Sequence, residues 1–183
     1  MEWIEEPNQE ITQGAIVDGV DWGQGENNPL SIVLSNACDL GHDKAEYLIV
    51  AALQPAADTL SKSKEYKSHV ENATDKTLSK KGWKSFVDFL EKYIHNTQVC
   101  RYFFFDPNPV IDSCLLVVDF QLVKSVDIDM SRLDYIGQMK PLFTMQMMSR
   151  FVSYTGRVPV DRPDAIKINT YIQELAGDYS PRE

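Results

Sequence analysis

Cys38-Asp39-x-x-His42 places a thiol, a carboxylate and an imidazole within five positions. These three side-chain types support two kinds of chemistry. A thiolate formed by His42, with Asp39 as orienter, is a nucleophile for a hydrolase or nuclease. Alternatively, Cys38 and His42 make half of a zinc site, completed by Asp39, Asp43, His95, Cys100 or Cys114. The chain has no second Cys-x-x-Cys or His-x-x-x-His half-site, which favours a plainer reading with no metal. In that reading Cys38 points into the core on the face of Leu34 and Asn36, Asp39 caps the turn, and His42 is solvated.

A second constellation is polar. Asp119 sits inside the apolar run VVDFQ. A buried carboxylate needs a partner, and Arg150 and Arg157 are the natural ones. The pair either lies under a binding surface or is a structural ion pair that ties a C-terminal helix to the strands. Asn36, Asp119, Arg150 and Arg157 are therefore the binding candidates. Asp39 competes for the arginines, so Asp39, Asp119, Arg150 and Arg157 are expected to converge at one end of the fold. The chain contains no glycine-rich phosphate loop, no Gly-x-Ser-x-Gly elbow and no His-Glu-x-x-His.

The elements that must position these groups follow from hydrophobic pattern. Ser31–Leu34 and Tyr47–Leu53 are β-rich runs around the polar turn. Residues 14–22 alternate as a first strand, and 1–13 read as a mobile lead-in. Pro55 ends the third strand. Residues 58–96 are a lysine-rich helical insertion. Within it Trp83, Phe86, Val87, Leu90, Tyr93 and Ile94 fall at helical spacing, behind Ser79 as N-cap. Residues 98–105 and 114–126 return to strand around the turn Asp106-Pro-Asn-Pro109. Residues 131–177 read as helices: Ser131-x-x-Asp134 as a capping box, Pro141 opening one helix that Gly156 ends, and Pro163 to Ala176 as the last. Met139, Met145, Met147 and Met148 belong to core packing or to an adaptable binding face. The expectation is α+β, one domain over 1–183, with a small barrel of strands (about 14–55 and 98–128), the insertion, and C-terminal helices.

Composition bounds the partners. The chain has 183 residues, 43% hydrophobic and 25% charged, with a net charge of −9. Such a surface repels a phosphate backbone unless its cations cluster. Lys62, Lys64, Lys67, Lys76, Lys80, Lys81 and Lys84 are interleaved with Glu65, Glu71 and Asp75, so a solvated helical face is the simpler account. The acidic start MEWIEEPNQE lacks a signal-peptide layout, and no apolar run reaches the roughly 20 residues of a membrane span, so a cytoplasmic protein is expected. The three cysteines are too few for a disulfide framework and read as reduced core thiols.

Two resemblances add to this. GAIVDGVDW, NPLSIVLSN and YLIVAALQP, over about Gly14 to Pro55, resemble the SH3-like barrel of the MazF/PemK toxin family. That family's catalytic arginine would fall near Asn28 and its threonine near Gln54. Neither is present, so the resemblance implies the barrel without the ribonuclease. SNACDL, VVDF and SRFVSYTGRVPV, across most of Gly14 to Val160, resemble a family of uncharacterised bacterial proteins with Ser-Gln-x-Cys-Asp-Leu at the first motif. Asn36 replaces the Gln and keeps an amide. This second resemblance implies no activity.

Three functions follow, in order. The first is a non-catalytic binding or regulatory module of a bacterial cytoplasmic, toxin-antitoxin-like system. Its partner would be a protein or a second copy paired through the aromatics Tyr102 to Phe105. The second is a hydrolase or nuclease at Cys38, Asp39 and His42. The third is a nucleic-acid binder through the lysine-rich insertion. No cofactor is implied.

Overall fold

The computed structural model describes residues 2–7, 10–25, 28–41, 45–97, 101–111, 114–127, 132–156, 168–177 and 179–181. Its centre is an antiparallel sheet built from the apolar runs. These are β2 (Ala15–Asp18), β3 (Ser31–Val33), β4 (Tyr47–Pro55), β6 (Tyr102–Phe105) and β7 (Leu116–Asp127). Two further strands were not expected. β1 (Ile4–Glu5) lies in the supposed mobile lead-in, and β8 (Asp134–Met139) lies where a helix was expected. The order is β1-β8-β2-β3-β4-β7-β6. The sheet curls into a half-barrel that does not close, with β1 and β6 as its edges.

β1 forms because Trp3 and Ile4 have a place to bury: both are core residues, and Trp3 stacks on Phe143 with ring centroids 4.0 Å apart. Asp134 begins β8 opposite Asp18 and caps no helix, while Ser131 lies outside the described residues.

The sheet buries side chains on both faces. Ile16, Ile32, Ala51 and Leu53 join the main cluster, and Ala15, Val17, Val33, Leu48 and Val50 form a second one. The main cluster is closed by helices. These are α2 (Ala56–Ser61), α3 (Lys64–Val70), α4 (Lys80–Ile94), α5 (Pro141–Gly156) and α6 (Ile168–Ala176), with β5 (Thr77–Leu78) and β9 (Ser180–Pro181) pairing beside them. α4 starts where Ser79 Oγ accepts from Gly82 N at 3.2 Å and buries Phe86, Phe89, Leu90, Tyr93 and Ile94. Proline opens α5 and Gly156 is its last residue, as the sequence indicated. α6 is described from Ile168, so its expected start at Pro163 lies outside the described residues. Gly177 follows it with φ +60, the left-handed stop that glycine makes cheap.

Phe103, Phe104 and Phe105 are each 1% exposed or less. The aromatic run expected to pair two copies is spent inside one chain. Among the described residues, no helix is long and apolar enough to cross a membrane.

Candidate functional site

The SNACDL turn is a short helix, α1 (Ala37–Leu40), between β3 and β4. Asn36 is its N-cap, and its Oδ1 accepts from Cys38 N at 3.0 Å. Leu40 packs on the second cluster, and Asn36, Cys38 and Asp39 are all exposed. The expected core thiol is a surface thiol, because β3 ends at Val33 and a helical turn begins before Cys38. Cys114 is exposed as well. His42, Asp43 and Cys100 lie outside the described residues, so the Cys38–His42 pair has no geometry here. Among the described residues, no three His, Cys, Asp or Glu come together as metal ligands.

The polar constellation is real but differently wired. Asp119 is 2% exposed, and its partner is Arg101, which the sequence reading did not consider. Arg101 Nε donates to Oδ1 at 2.8 Å and its Nη2 to Oδ2 at 2.6 Å, a bidentate fork. Gln121 N also donates to Oδ1 at 3.0 Å. The hydrogen bonds that Arg101 donates to Asp119 raise the Arg101 pKa above its usual value. Arg101 also lies 4.7 Å from the Tyr102 ring centroid, within cation–π range.

Arg150 is 4% exposed and reaches from α5 to the sheet. Its Nε donates to the Tyr102 carbonyl at 2.8 Å, and its Nη1 donates to the Asn96 carbonyl. It thus ties the C-terminal helix to the strands, as one reading expected, but through backbone carbonyls. Asn96, at φ +54 just past α4, completes the set. Its Nδ2 donates to the Phe104 carbonyl at 2.9 Å, and Phe104 N donates to its Oδ1 at 2.7 Å. One side-chain amide therefore pairs with the outer edge of β6 as a neighbouring strand would. Arg157 lies outside the described residues, and Asp39 stands on α1, so the four-residue convergence is not assembled here. What Asn96 and Arg150 build is a clasp on the β6 edge.

The sequence held a signal for Asn96: asparagine is the residue other than glycine that commonly ends a helix in the left-handed region. Arg101 carried one too. It precedes YFFF, the strand that must lie beside VVDF.

One cleft, of about 380 Å³, lies where the first resemblance would put a reaction. Pro29, Leu30, Leu53 and Gln54 line it, with Gln24, Asp58 and Lys62 at its polar side. Asn28 is occupied in the loop: its Oδ1 accepts from Trp22 N at 2.8 Å and its Nδ2 donates to Gly25 O at 3.0 Å. Gln54 accepts from Thr59 Oγ1 at 3.1 Å. The lining holds amides, one carboxylate and one ammonium, with no nucleophile beside a base.

No protein-family model matches the chain, and no curated protein matches it. Among solved structures, an endoribonuclease in complex with its cognate antitoxin, from mycobacterial species, is similar over 83% of this chain and 100% of its own. The identity is 11% and the TM-score 0.45, a likeness that carries no argument about activity or partner.

Proposed function

We propose that the protein is a non-catalytic binding module that engages a protein partner of a cytoplasmic system. The observation behind this reading is the solvent face of α5. Leu142, Met145 and Val152 are 56%, 70% and 54% exposed, and Ser149 lies between them at helical spacing. The sole charged residue of this 16-residue helix is Arg150, which is buried. In a chain that is 25% charged, a long surface helix with an apolar, charge-free outer face departs from the ordinary amphipathic pattern. Such a stripe marks a docking surface for another apolar face.

The test is affinity capture of the tagged, nuclease-treated protein from its own host, beside a Met145→Glu, Val152→Glu variant. A stoichiometric protein held by the native chain and lost by the variant is expected. Equal retention by both, or recovery of the bait alone, overturns the reading. The second reading, a hydrolase or nuclease at Cys38, Asp39 and His42, gains from the exposure of Cys38 and Asp39. An activity abolished by Cys38→Ala at unchanged stability would establish it.

A further inference from the structure

The cleft at the end of β4 has an apolar floor and two unspent charges on one wall. Pro29, Leu30, Leu53 and Leu116 form the floor. β4 ends at Pro55 and α2 begins at Ala56, so α2 supplies the wall. Asp58 lies in the first turn of α2, and Lys62 is its C-cap, with helical backbone at φ −80 and ψ −18. Four positions apart on one helix, the two side chains are neighbours on the same face. Neither has a side-chain hydrogen bond or an ion pair among the described residues.

Two amides complete the polar side. Gln54 Oε1 accepts from Thr59 Oγ1 at 3.1 Å, which fixes that amide and leaves its Nε2 as a donor. Gln24 is anchored by its backbone, with its N–H donating to Asn28 Oδ1 at 3.2 Å, and its side-chain amide has no partner among the described residues.

One charge of each sign selects the occupant. A phosphate would be met by Lys62 and repelled by Asp58, and a polyamine the reverse. An uncharged apolar molecule would cover the floor and leave both charges to water. A zwitterion with an apolar body uses the whole lining. Its ammonium meets Asp58, its carboxylate meets Lys62 and the Gln54 Nε2, and its side chain displaces water from Leu30, Leu53 and Leu116. At about 380 Å³ the cleft stands at the small end of ligand sites, which run from roughly 300 to 1,000 Å³. That size suits one or two amino-acid residues.

We infer that this cleft binds a small apolar zwitterion, of the class formed by free apolar α-amino acids and unblocked apolar dipeptides. The site is separate from the α5 stripe and does not depend on a protein partner engaging that helix.

The probes are L-leucine, Leu-Leu, Nα-acetyl-leucine, leucine amide, glycine and inorganic phosphate. Each is titrated into the full chain to about 10 mM, ten times a millimolar Kd, with binding followed by amide NMR shifts. Leucine or Leu-Leu is expected to saturate, with shifts centred on Leu53, Gln54 and Leu116, and the tighter of the two gives the length of the natural ligand. Acetyl-leucine and leucine amide should each bind about fivefold more weakly, the upper end for one exposed ion pair. Glycine, which lacks the apolar body, should not saturate. Asp58→Asn should weaken leucine by the same factor and leave acetyl-leucine unchanged. Lys62→Met should weaken leucine and leave leucine amide unchanged. Both residues are exposed, so the variants should fold, and their unfolding curves check this. Equal binding of leucine and its two blocked forms, tighter binding of phosphate or glycine, shifts centred away from the cleft, or no saturation by any zwitterion would each overturn the inference. So would leucine binding that neither variant changes.

Discussion

Asn96 is the residue whose replacement tests the edge clasp most directly. It is 1% exposed, sits at φ +54, and makes two hydrogen bonds to one residue of β6. Asn96→Gly keeps the left-handed backbone but leaves the Phe104 N–H and C=O without partners. Orphaned buried groups cost about 1–3 kcal/mol each, and partial rehydration at a sheet edge puts the pair near ~3 kcal/mol. Asn96→Ala loses the same bonds and adds about 1 kcal/mol for a Cβ in the left-handed region. For a chain of this size ~3 kcal/mol lowers the Tm by roughly 9 °C, and the alanine by some ~3 °C more. The assay is urea and thermal unfolding of the three proteins, with the urea slope checked for constancy. A glycine variant within about 0.5 kcal/mol of native would refute the idea that the amide replaces a strand. Alanine and glycine variants of equal stability would refute the conformational part.

Three more outcomes are expected. Arg101→Met strands the Asp119 carboxylate in the core and should cost about 3 kcal/mol, whereas Asp119→Asn keeps an acceptor for Gln121 N and lets the part-exposed arginine meet water, costing about half as much; the reverse order in denaturant unfolding would contradict the pairing. Glu174 accepts from Leu115 N at 2.8 Å, yet burial holds its carboxyl above the usual value near 4.5, with Asp106 adding to the shift. Its folded form binds a proton more tightly than the unfolded chain, so it favours folding at acid pH and loses that benefit as pH rises through the raised value. Glu174→Gln should thus gain stability over native as pH rises from about 4.5 towards neutral; parallel curves would dismiss the shift. Cys38→Ala removes an exposed thiol and should leave stability within about 0.5 kcal/mol in thermal unfolding.

Periodic stretches were legible because one period dominates them. α4 and β4 stand where their apolar residues put them, since fifteen or nine successive positions with one burial rule leave little choice of element. α5 was legible in extent but not in meaning: the same Met-rich run serves the core through Met147 and solvent through Met145. β1 and β8 were missed for a shared reason. Ile4–Glu5 is too short to show alternation, and Asp134–Met139 contains Gly137 and starts with the carboxylate that imitates a helix cap. Both exist because they pair with each other and β8 also pairs with β2, which is information held in other parts of the chain. The candidate site failed where distance in sequence had to be converted into neighbourhood. Arg101 is 18 positions from Asp119 but one strand away, and antiparallel pairing of Tyr102 with Asp119 brings them together.

The buried polar residues and the exposed apolar ones reverse the roles that their types suggest. Asp119 and Arg150 read as binding candidates in sequence, yet they, Arg101 and Asn96 spend their polar atoms on the fold's own backbone or on one another. A carboxylate already gripped bidentately, and an arginine already on two carbonyls, have little left to offer a substrate without breaking what holds α5 and β6 in place. Meanwhile the residues with unspent capacity lie outside. The α5 stripe offers apolar area. Asn96 and Arg150 are spent on closing the β6 edge. That contrast is the physical ground for looking to partners before substrates.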